Sequence, residues 1–175
     1  WVKGEKIKIT THHWGANWNK GFESYLKIDE LIGTSKWSDI LEFTYIGNTP
    51  KKLEFNNSKT IAPLSGVALA NEIKKHNLYI TGSINEPSGN HHIEGAQCGL
   101  PILYIDSGGI PEYCENYGLK FTENNFETIL QEFIINFSKL KSNMHTYPHD
   151  SDQMCSEYEN LFIKLLDSRE QIVKV

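Results

Sequence analysis

Segments with the pattern of β-strands alternate with segments with the pattern of α-helices along this chain, and this alternation limits the possible folds more than any other feature. Residues 6–10 alternate apolar and polar side chains as a half-buried strand does. After a loop, Phe22, Tyr25 and Ile28 recur at helical spacing. The same succession of strand, loop and helix then repeats. Such a repeat predicts an α/β fold in which a parallel sheet carries helices on both faces.

The predicted elements form a doubly wound, Rossmann-like parallel sheet. Strands are predicted at residues 6–10, 41–46, 59–62, 78–81, 102–106 and 118–121. Helices are predicted after residue 21, after a capping Ser65, at 91–98, 111–114 and 126–137, and through Met154 and Leu165. Ligands of such sheets bind outside the carboxyl ends of the strands. We therefore expect functional residues in the loops that follow strands.

Length, charge and cysteine usage exclude several classes of protein. The chain has 175 residues, 39 % of them hydrophobic, which fits one compact domain. A net charge of −5 with scattered basic residues argues against a nucleic-acid partner. Cys98, Cys114 and Cys155 fit neither a disulfide framework nor a paired zinc motif, which predicts a reducing, cytoplasmic setting. No apolar run approaches the roughly 20 residues of a membrane span, so no transmembrane segment is predicted.

The chain is predicted to divide near residue 150. Residues 142–152 are mostly polar, with histidines and one proline, as in a linker. We predict a main domain over residues 1–150 and a C-terminal helix over 151–175 that packs on this domain or returns from it. The first residues show neither an initiator Met nor a capping or leader pattern. This beginning suggests that an N-terminal part is missing.

The segment 85–101 is the most informative for function. Pro87, Ser88, Gly89 and Asn90 form a loop of mostly small residues between a predicted strand and the start of a predicted helix. Glycine lets a ligand approach the backbone, and free N–H groups at a helix N-terminus attract phosphate. Glu94 lies in the first turn of that helix, where a carboxylate can accept hydrogen bonds from hydroxyl groups. This arrangement predicts a site for a diphosphate.

This segment resembles the C-terminal, donor-binding domain of the retaining glycosyltransferases of family 4, which have the two-domain GT-B fold. The residues that match the family motif in order are Glu86, Gly89, Glu94, Ala96, Gly99 and Pro101. The resemblance implies transfer of a sugar from a nucleotide-diphosphate sugar to an acceptor, in polysaccharide or glycoconjugate biosynthesis, without a bound metal or other cofactor. It implies that Glu94 binds the ribose hydroxyls. Glu86 is implied as the catalytic residue, near the reacting region of the sugar.

The loop predicted after the first strand contains a second part of the family motif. Lys20 and Gly21 match a dipeptide whose lysine binds the diphosphate. The arginine that usually accompanies this lysine is absent, and His12, His13 or Asn17 is expected to replace it, as an imidazolium or through neutral hydrogen bonds. The predicted donor-binding residues are therefore Lys20, Gly89, Asn90, His91, Glu94, His13 and Asn17.

Two further loops after strands are expected to border the ligand. The resemblance places residues 62–66 beside the nucleotide base, although a plain strand-to-helix turn explains this loop equally well. Residues 107–112 contain Gly108 and Gly109, which would allow a close approach to the diphosphate or the sugar.

Each of these assignments has a simpler structural alternative. Glu86 and Glu94 taken singly are ordinary surface carboxylates, and the histidines at 12–13 suit a structural role at a strand end. A zinc site is disfavoured, because adjacent histidines on an extended chain point apart and no further ligand stands at suitable spacing. No glycine fingerprint of a nicotinamide-binding enzyme follows the first strand.

Two other functions stay open beside the transferase. One is a non-catalytic module that binds nucleotide sugars, and the other is a different GT-B enzyme, such as a sugar-nucleotide epimerase. In the GT-B architecture the acceptor is held by an N-terminal domain, which we expect to be missing from this chain. The isolated chain is therefore expected to bind nucleotide sugar without transferring it.

Overall fold

The computed structural model describes residues 1–2 and 4–173, with side chains up to residue 169, and shows an α/β fold. Six strands form one sheet. The strands are β1 (Ile7–His13), β2 (Leu41–Gly47), β3 (Lys59–Ile61), β4 (Leu78–Thr81), β5 (Ile102–Ile105) and β6 (Gly118–Phe121). The helices are α1 (Phe22–Ile32), α2 (Gly66–Ile73), α3 (Asn90–Gln97), α4 (Ile110–Cys114), α5 (Phe126–Asn143) and α6 (Ser151–Val173). Single 3-10 turns lie at Trp18–Lys20 and Met144–Thr146.

The sheet has the doubly wound topology that the sequence predicts. Its strand order is β3-β2-β1-β4-β5-β6, and every neighbouring pair runs parallel. The direction of winding reverses between β1 and β4, where Ile9 and Thr10 pair with Leu78 and Tyr79. A crevice forms at the carboxyl ends of strands where the order reverses in this way. A ligand site is therefore expected at the carboxyl ends of β1 and β4.

Helices cover both faces of the sheet, as predicted. One core lies between the sheet and helices α1 and α5, and it includes Ile9, Tyr25, Phe43 and Phe133. The other lies between the sheet and helices α2, α3 and α4. Buried apolar area of this kind is the main favourable contribution to folding, at about 25 cal/mol per Å². The two cores fix the sheet from both sides and hold the strand ends in place.

The first strand is longer than its alternation predicts. The sequence pattern ends at residue 10, whereas β1 continues through Thr11 and His12 to His13 and pairs with β2 as far as Gly47. Assigning residues 11–13 to a loop was therefore wrong. These side chains are polar yet buried, because β1 is a central strand between β2 and β4. The functional loop thus starts at Trp14.

Two other details of the chain differ from expectation. Ser65 precedes α2, but its side chain makes no capping hydrogen bond. The predicted linker is largely regular, because α5 extends to Asn143 and a 3-10 turn follows. The amide of Gln97 donates to the carbonyl oxygen of His149 at 2.7 Å, which ties this segment to α3.

Helix α6 differs from the rest of the fold in its exposure. From Ser151 to Arg169 every side chain is exposed, including the apolar series with Met154 and Phe162. The division of the chain at residue 150 stays a prediction. Across the described residues, no helix combines the length and apolar character that crossing a membrane requires.

Candidate functional site

A cleft of about 400 Å³ opens at the carboxyl ends of β1 and β4. The end of β1, the start of α2 and the first turns of α3 line it. Five of the predicted site residues meet in this cleft, namely His13, Lys20, Asn90, His91 and Glu94. Trp14 stands at its rim with 66 % of its surface exposed. The other three predicted site residues, Asn17, Gly89 and Glu86, do not line the cleft, and Asn17 is exposed.

A pair of glycines positions Lys20. Gly21 follows it with φ of 101°, a conformation that favours glycine, and a Cβ at Gly21 would lie 2.5 Å from the backbone of Gly82. The start of α1 can therefore approach the exit of β4 closely. In this position Nζ of Lys20 lies 2.6 Å from Oε2 of Glu86, and both side chains are mostly buried. The two motif residues thus form an ion pair, of which Lys20 lines the cleft.

The loop after β5 holds Glu86 in place. The backbone N–H of Gly109 donates to the carbonyl oxygen of Glu86 at 2.9 Å. A Cβ at Gly108, whose φ is 62°, would lie 2.2 Å from that same oxygen. Asn85 adopts a left-handed φ of 56°, and its N–H donates to Oγ of Ser107. The two glycines therefore approach the backbone of Glu86 rather than leaving an open surface for a ligand.

Helix α3 starts at this loop without a side-chain cap. Gly89 occupies the capping position, so N–H groups of the first turn, beginning at Asn90, remain without a side-chain acceptor. A Cβ at Gly89 would lie 2.6 Å from the ring of His91 and 2.9 Å from Cγ of Glu86. The absence of a side chain lets the loop close over His91. The N-terminus of α3 is therefore available to an anion.

His12 connects the end of β1 to Glu94. Its Nε2 lies 2.7 Å from Oε2 of Glu94. Its Nδ1 lies 3.0 Å from the hydroxyl of Tyr79, which also accepts the backbone N–H of His12 at 3.2 Å. Both ring nitrogens of His12 are thus occupied, and neither remains for a phosphate. This arrangement argues against His12 as the replacement for the missing arginine.

His13 is buried on the other side of the strand. Its Nε2 lies 2.8 Å from the hydroxyl of Tyr25, and its ring lies 4.6 Å from the ring of His91. Burial, reinforced by neighbouring His12 and Lys20, lowers the pKa of His13 to about 3. An imidazolium at His13 is therefore absent at neutral pH. A contact between His13 and the donor therefore stays a prediction only as a hydrogen bond from a neutral ring.

The histidines of α3 are uncharged for the same reason. Nε2 of His91 lies 2.7 Å from Oγ1 of Thr81, and burial holds the pKa of His91 well below its ordinary value. Both ring nitrogens of His92 are buried without a hydrogen-bond partner among the described residues. Burial lowers the pKa of His92 to about 4. Among the described residues that line the cleft, Lys20 is the one lysine or arginine.

Several polar contacts at the site involve residues that sequence reasoning missed. Tyr25, Tyr79 and Thr81 lie inside elements identified by their apolar pattern, and each makes a hydrogen bond to a histidine of the cleft. A buried tyrosine hydroxyl usually finds a partner, which is the one signal the sequence offers. The identity of that partner depends on the packing of distant segments.

A larger hollow, of about 460 Å³, lies on the other side of α3, against Tyr113 and the start of α6. Asn90 and Glu94 border it as well, but Lys20 and Glu86 do not. We favour the smaller cleft as the site, because it is lined by Lys20, which pairs with Glu86, and it lies where the strand order reverses. Among residues 1–2 and 4–173, no group of three or more histidine, cysteine or acidic side chains is arranged to hold a metal ion.

The strand order and the position of the cleft define a Rossmann-like domain of the kind found in GT-B glycosyltransferases. Sucrose-phosphate synthase from Thermosynechococcus elongatus matches it with a TM-score of 0.69 at 13 % sequence identity, over 95 % of this chain and 47 % of the synthase. WaaG, a glycosyltransferase involved in lipopolysaccharide biosynthesis, matches with a TM-score of 0.67 at 14 % sequence identity. The match covers 85 % of this chain and 44 % of the WaaG chain.

A third similar structure is the pneumococcal O-GlcNAc transferase GtfA, solved in complex with UDP and GlcNAc. It matches with a TM-score of 0.61 at 14 % identity, over 94 % of this chain and 37 % of GtfA. The chain thus spans less than half the length of these structures. No protein-family model and no curated protein sequence matches the chain significantly. The comparisons therefore show a Rossmann-like fold that matches part of these GT-B glycosyltransferases, and membership of family 4 stays a prediction.

Proposed function

We propose that this chain provides the donor site of a glycosyltransferase, which holds a nucleotide-diphosphate sugar for transfer to an acceptor. One observation carries the proposal: Lys20 and Glu86 face each other beside the uncapped N-terminus of α3, where the strand order reverses. A cation and a helix N-terminus together suit a diphosphate, and a carboxylate beside them suits the attached sugar. The GT-B fold of the chain agrees with this reading.

Donor binding in this proposal exchanges one partner of Lys20 for another. Before binding, the ammonium group of Lys20 lies against Glu86. A diphosphate at the N-terminus of α3 competes for that ammonium group and leaves the Glu86 carboxylate beside the sugar. Glu94, which also lines the cleft, binds the ribose hydroxyls. The resemblance to family 4 supports retention of configuration and catalysis without a metal.

Transfer needs a second domain in this scheme. The acceptor, a polysaccharide or glycoconjugate precursor, is expected to bind to an N-terminal domain that closes over the donor. Holding two reactants in near-attack geometry is worth about 7–11 kcal/mol of barrier. Residues 1–175 alone are therefore expected to bind donor without turnover.

A second candidate is a binding module that holds nucleotide sugars without catalysis. The neutral histidines favour it, because they leave Lys20 as the single lysine or arginine in the described part of the cleft. Assay of the longest natural chain with acceptor separates the two candidates. Turnover supports the transferase, and donor binding without turnover supports the module.

Titration calorimetry with UDP-, GDP- and ADP-sugars tests the site directly. We expect at least one of them to bind, and we expect Lys20→Ala to weaken the binding by roughly 1.5–3 kcal/mol, the range for a charge-assisted hydrogen bond. The loss should shrink for the corresponding nucleoside without phosphates.

Lys120→Ala is the matched control. Lys120 also pairs with a carboxylate, Asp106 at 2.9 Å, but the pair is exposed and outside the cleft. Its loss should leave nucleotide affinity unchanged. Equal affinities of the Lys20→Ala variant and the wild type would remove Lys20 from the site, and absence of binding to all three sugars would overturn the donor site itself.

A further inference from the structure

We propose that His12 and Tyr79 act as positioning residues, which hold the carboxylate of Glu94 through an uncharged chain of hydrogen bonds so that it selects a nucleotide with free ribose hydroxyls. The inference rests on the proposed function, because it assigns the ribose end of the same cleft.

The directions of the hydrogen bonds follow from the donors available. The hydroxyl of Tyr79 accepts the backbone N–H of His12 at 3.2 Å, so its own proton is free to point elsewhere. In the proposed chain this proton is donated to Nδ1 of His12, which lies 3.0 Å away. A neutral imidazole with an unprotonated Nδ1 carries its proton on Nε2. That proton then points at Oε2 of Glu94, 2.7 Å away.

The chain of bonds is anchored in the protein interior. Tyr79 is fully buried, and only 6 % of His12 is exposed. The ring of Tyr79 packs against α3 at Gly95, where a Cβ would lie 2.5 Å from the ring carbons. This contact sets the spacing between β4 and the helix that carries Glu94. Burial also raises the pKa of Tyr79 well above its ordinary value, so its hydroxyl keeps the proton that it donates.

Glu94 itself depends on this support. About half of its side chain is exposed, at 51 %, and an exposed glutamate samples several rotamers. The bond from His12 restricts one carboxylate oxygen, Oε2, while Oε1 has no partner among the described residues. Oε1 is therefore available to accept a hydrogen bond from a ligand. A carboxylate acceptor at this place favours ribose hydroxyls and disfavours a phosphate group on the ribose.

Affinity ratios test the positioning role. Affinities of UDP, GDP and ADP are compared with those of their 2′,3′-dideoxy forms for the wild type, Glu94→Gln and Tyr79→Phe. We expect the wild type to prefer the ribose form of whichever nucleotide binds, and Glu94→Gln to lose that preference. Tyr79→Phe keeps the ring and should reduce the preference by about threefold or more, the lower range for one lost hydrogen bond.

Tyr117→Phe is the matched control, because it also removes a tyrosine hydroxyl, which donates to the carbonyl oxygen of Thr146 at 2.9 Å away from the cleft. It should leave the ribose preference unchanged. A second readout is the ¹⁵N NMR spectrum of His12, which distinguishes the two neutral tautomers. We expect the Nε2–H form in the wild type and an increased share of the Nδ1–H form in Tyr79→Phe.

The outcomes separate this inference from the function on which it rests. A dominant Nδ1–H tautomer in the wild type overturns the chain of bonds without reference to any ligand. An unchanged ribose preference in folded Tyr79→Phe overturns the positioning role alone. Failure of the wild type to bind any of the three diphosphates overturns the donor site and, with it, the ribose selection.

Discussion

The two glutamates of the predicted site are held in different ways, although only seven residues separate them in the sequence. Glu86 is paired with a cation, Lys20, at 2.6 Å. Glu94 is paired with His12 at 2.7 Å, in the chain of hydrogen bonds proposed above. Glu86 thus pairs with a lysine, and Glu94 pairs with a histidine. The difference suits a ligand with phosphates at one end and hydroxyl groups at the other.

The two ends also differ in what fixes their geometry. Glu86 is positioned by the backbone, through the left-handed Asn85 and the close approach of Gly108. Glu94 is positioned by side chains, through His12 and Tyr79. Added atoms at Gly108 should hardly be tolerated near Glu86, because the backbone carbonyl oxygen of Glu86 cannot rotate away from them. A side-chain-defined end should tolerate conservative changes and lose only selectivity.

The largest expected effect comes from Gly108→Ala. The new methyl group would lie 2.2 Å from the carbonyl oxygen of Glu86, at a φ of 62°. Strain at this φ and displacement of the Glu86 loop should together lower the free energy of unfolding by about 3 kcal/mol, measured by urea denaturation. Nucleotide binding should fall as well.

Gly66→Ala provides the matched control for this substitution. Gly66 has a similar φ of 55°, but a Cβ there meets nothing within 4 Å. It should cost only about 1 kcal/mol, the conformational strain alone. Equal losses in the two variants would show that the contact with Glu86 is not restrictive, and the contrast between the two ends would fail.

The next largest expected effect is a loss of stability at acid pH, caused by the buried, neutral histidines. Burial lowers the pKa of His92 to about 4, whereas the unfolded chain binds the proton near pH 6.5. The contribution of His92 to stability is therefore complete above pH 6.5 and is lost as the pH falls towards 4. The slope is at most about 1.4 kcal/mol per pH unit.

His92→Leu removes this dependence, because leucine does not titrate. Unfolding free energies at pH 7.5, 6 and 5 should fall less steeply in the variant than in the wild type. His145→Leu, at an exposed position, is the control and should leave the slope unchanged. An identical pH slope in His92→Leu and wild type would contradict a buried neutral ring at this position.

The smallest expected effect is that substitution of the two glutamates changes the affinity for a nucleoside diphosphate in opposite directions. Glu86→Gln removes the carboxylate that competes with phosphate for Lys20, so a nucleoside diphosphate without sugar should bind more tightly by roughly 0.5–1 kcal/mol. Glu94→Gln should instead weaken the binding of the same ligand, because a ribose acceptor is lost. Calorimetry on both variants decides the point. Weaker binding in both would mean that Glu86 does not compete for Lys20.

The elements of the fold could largely be predicted from the sequence, because they depend on local patterns. Leu78–Thr81 and Gly118–Phe121 have the same bounds in the structure as in the prediction. The end of β1 could not be predicted, since a strand of threonine and histidine is buried only when its neighbours in the sheet are known. Alternation of apolar and polar side chains in this part of the sequence is limited to Lys6–Thr10.

Convergence of the site residues could be predicted, but their pairing could not. The strand and loop pattern predicts that Lys20, Glu86 and Glu94 lie at one edge of the sheet, and the structure places them there. The contact between His12 and Glu94 joins residues 82 positions apart, through a tyrosine that looks like any apolar strand residue. Such contacts follow from tertiary packing, which one sequence does not specify locally.

The exposed Trp14 at the rim of the cleft gives the protein an optical signal of its own. An indole in water emits at longer wavelength than a buried one, and a nucleotide base that covers it changes both the intensity and the colour of that emission. Trp18, half exposed, belongs to the 3-10 turn that ends at Lys20. Trp37 is buried and donates its indole N–H to Glu127 at 3.0 Å, so it supplies a constant background. Occupancy of the cleft can therefore be followed by intrinsic fluorescence, without a label on protein or ligand.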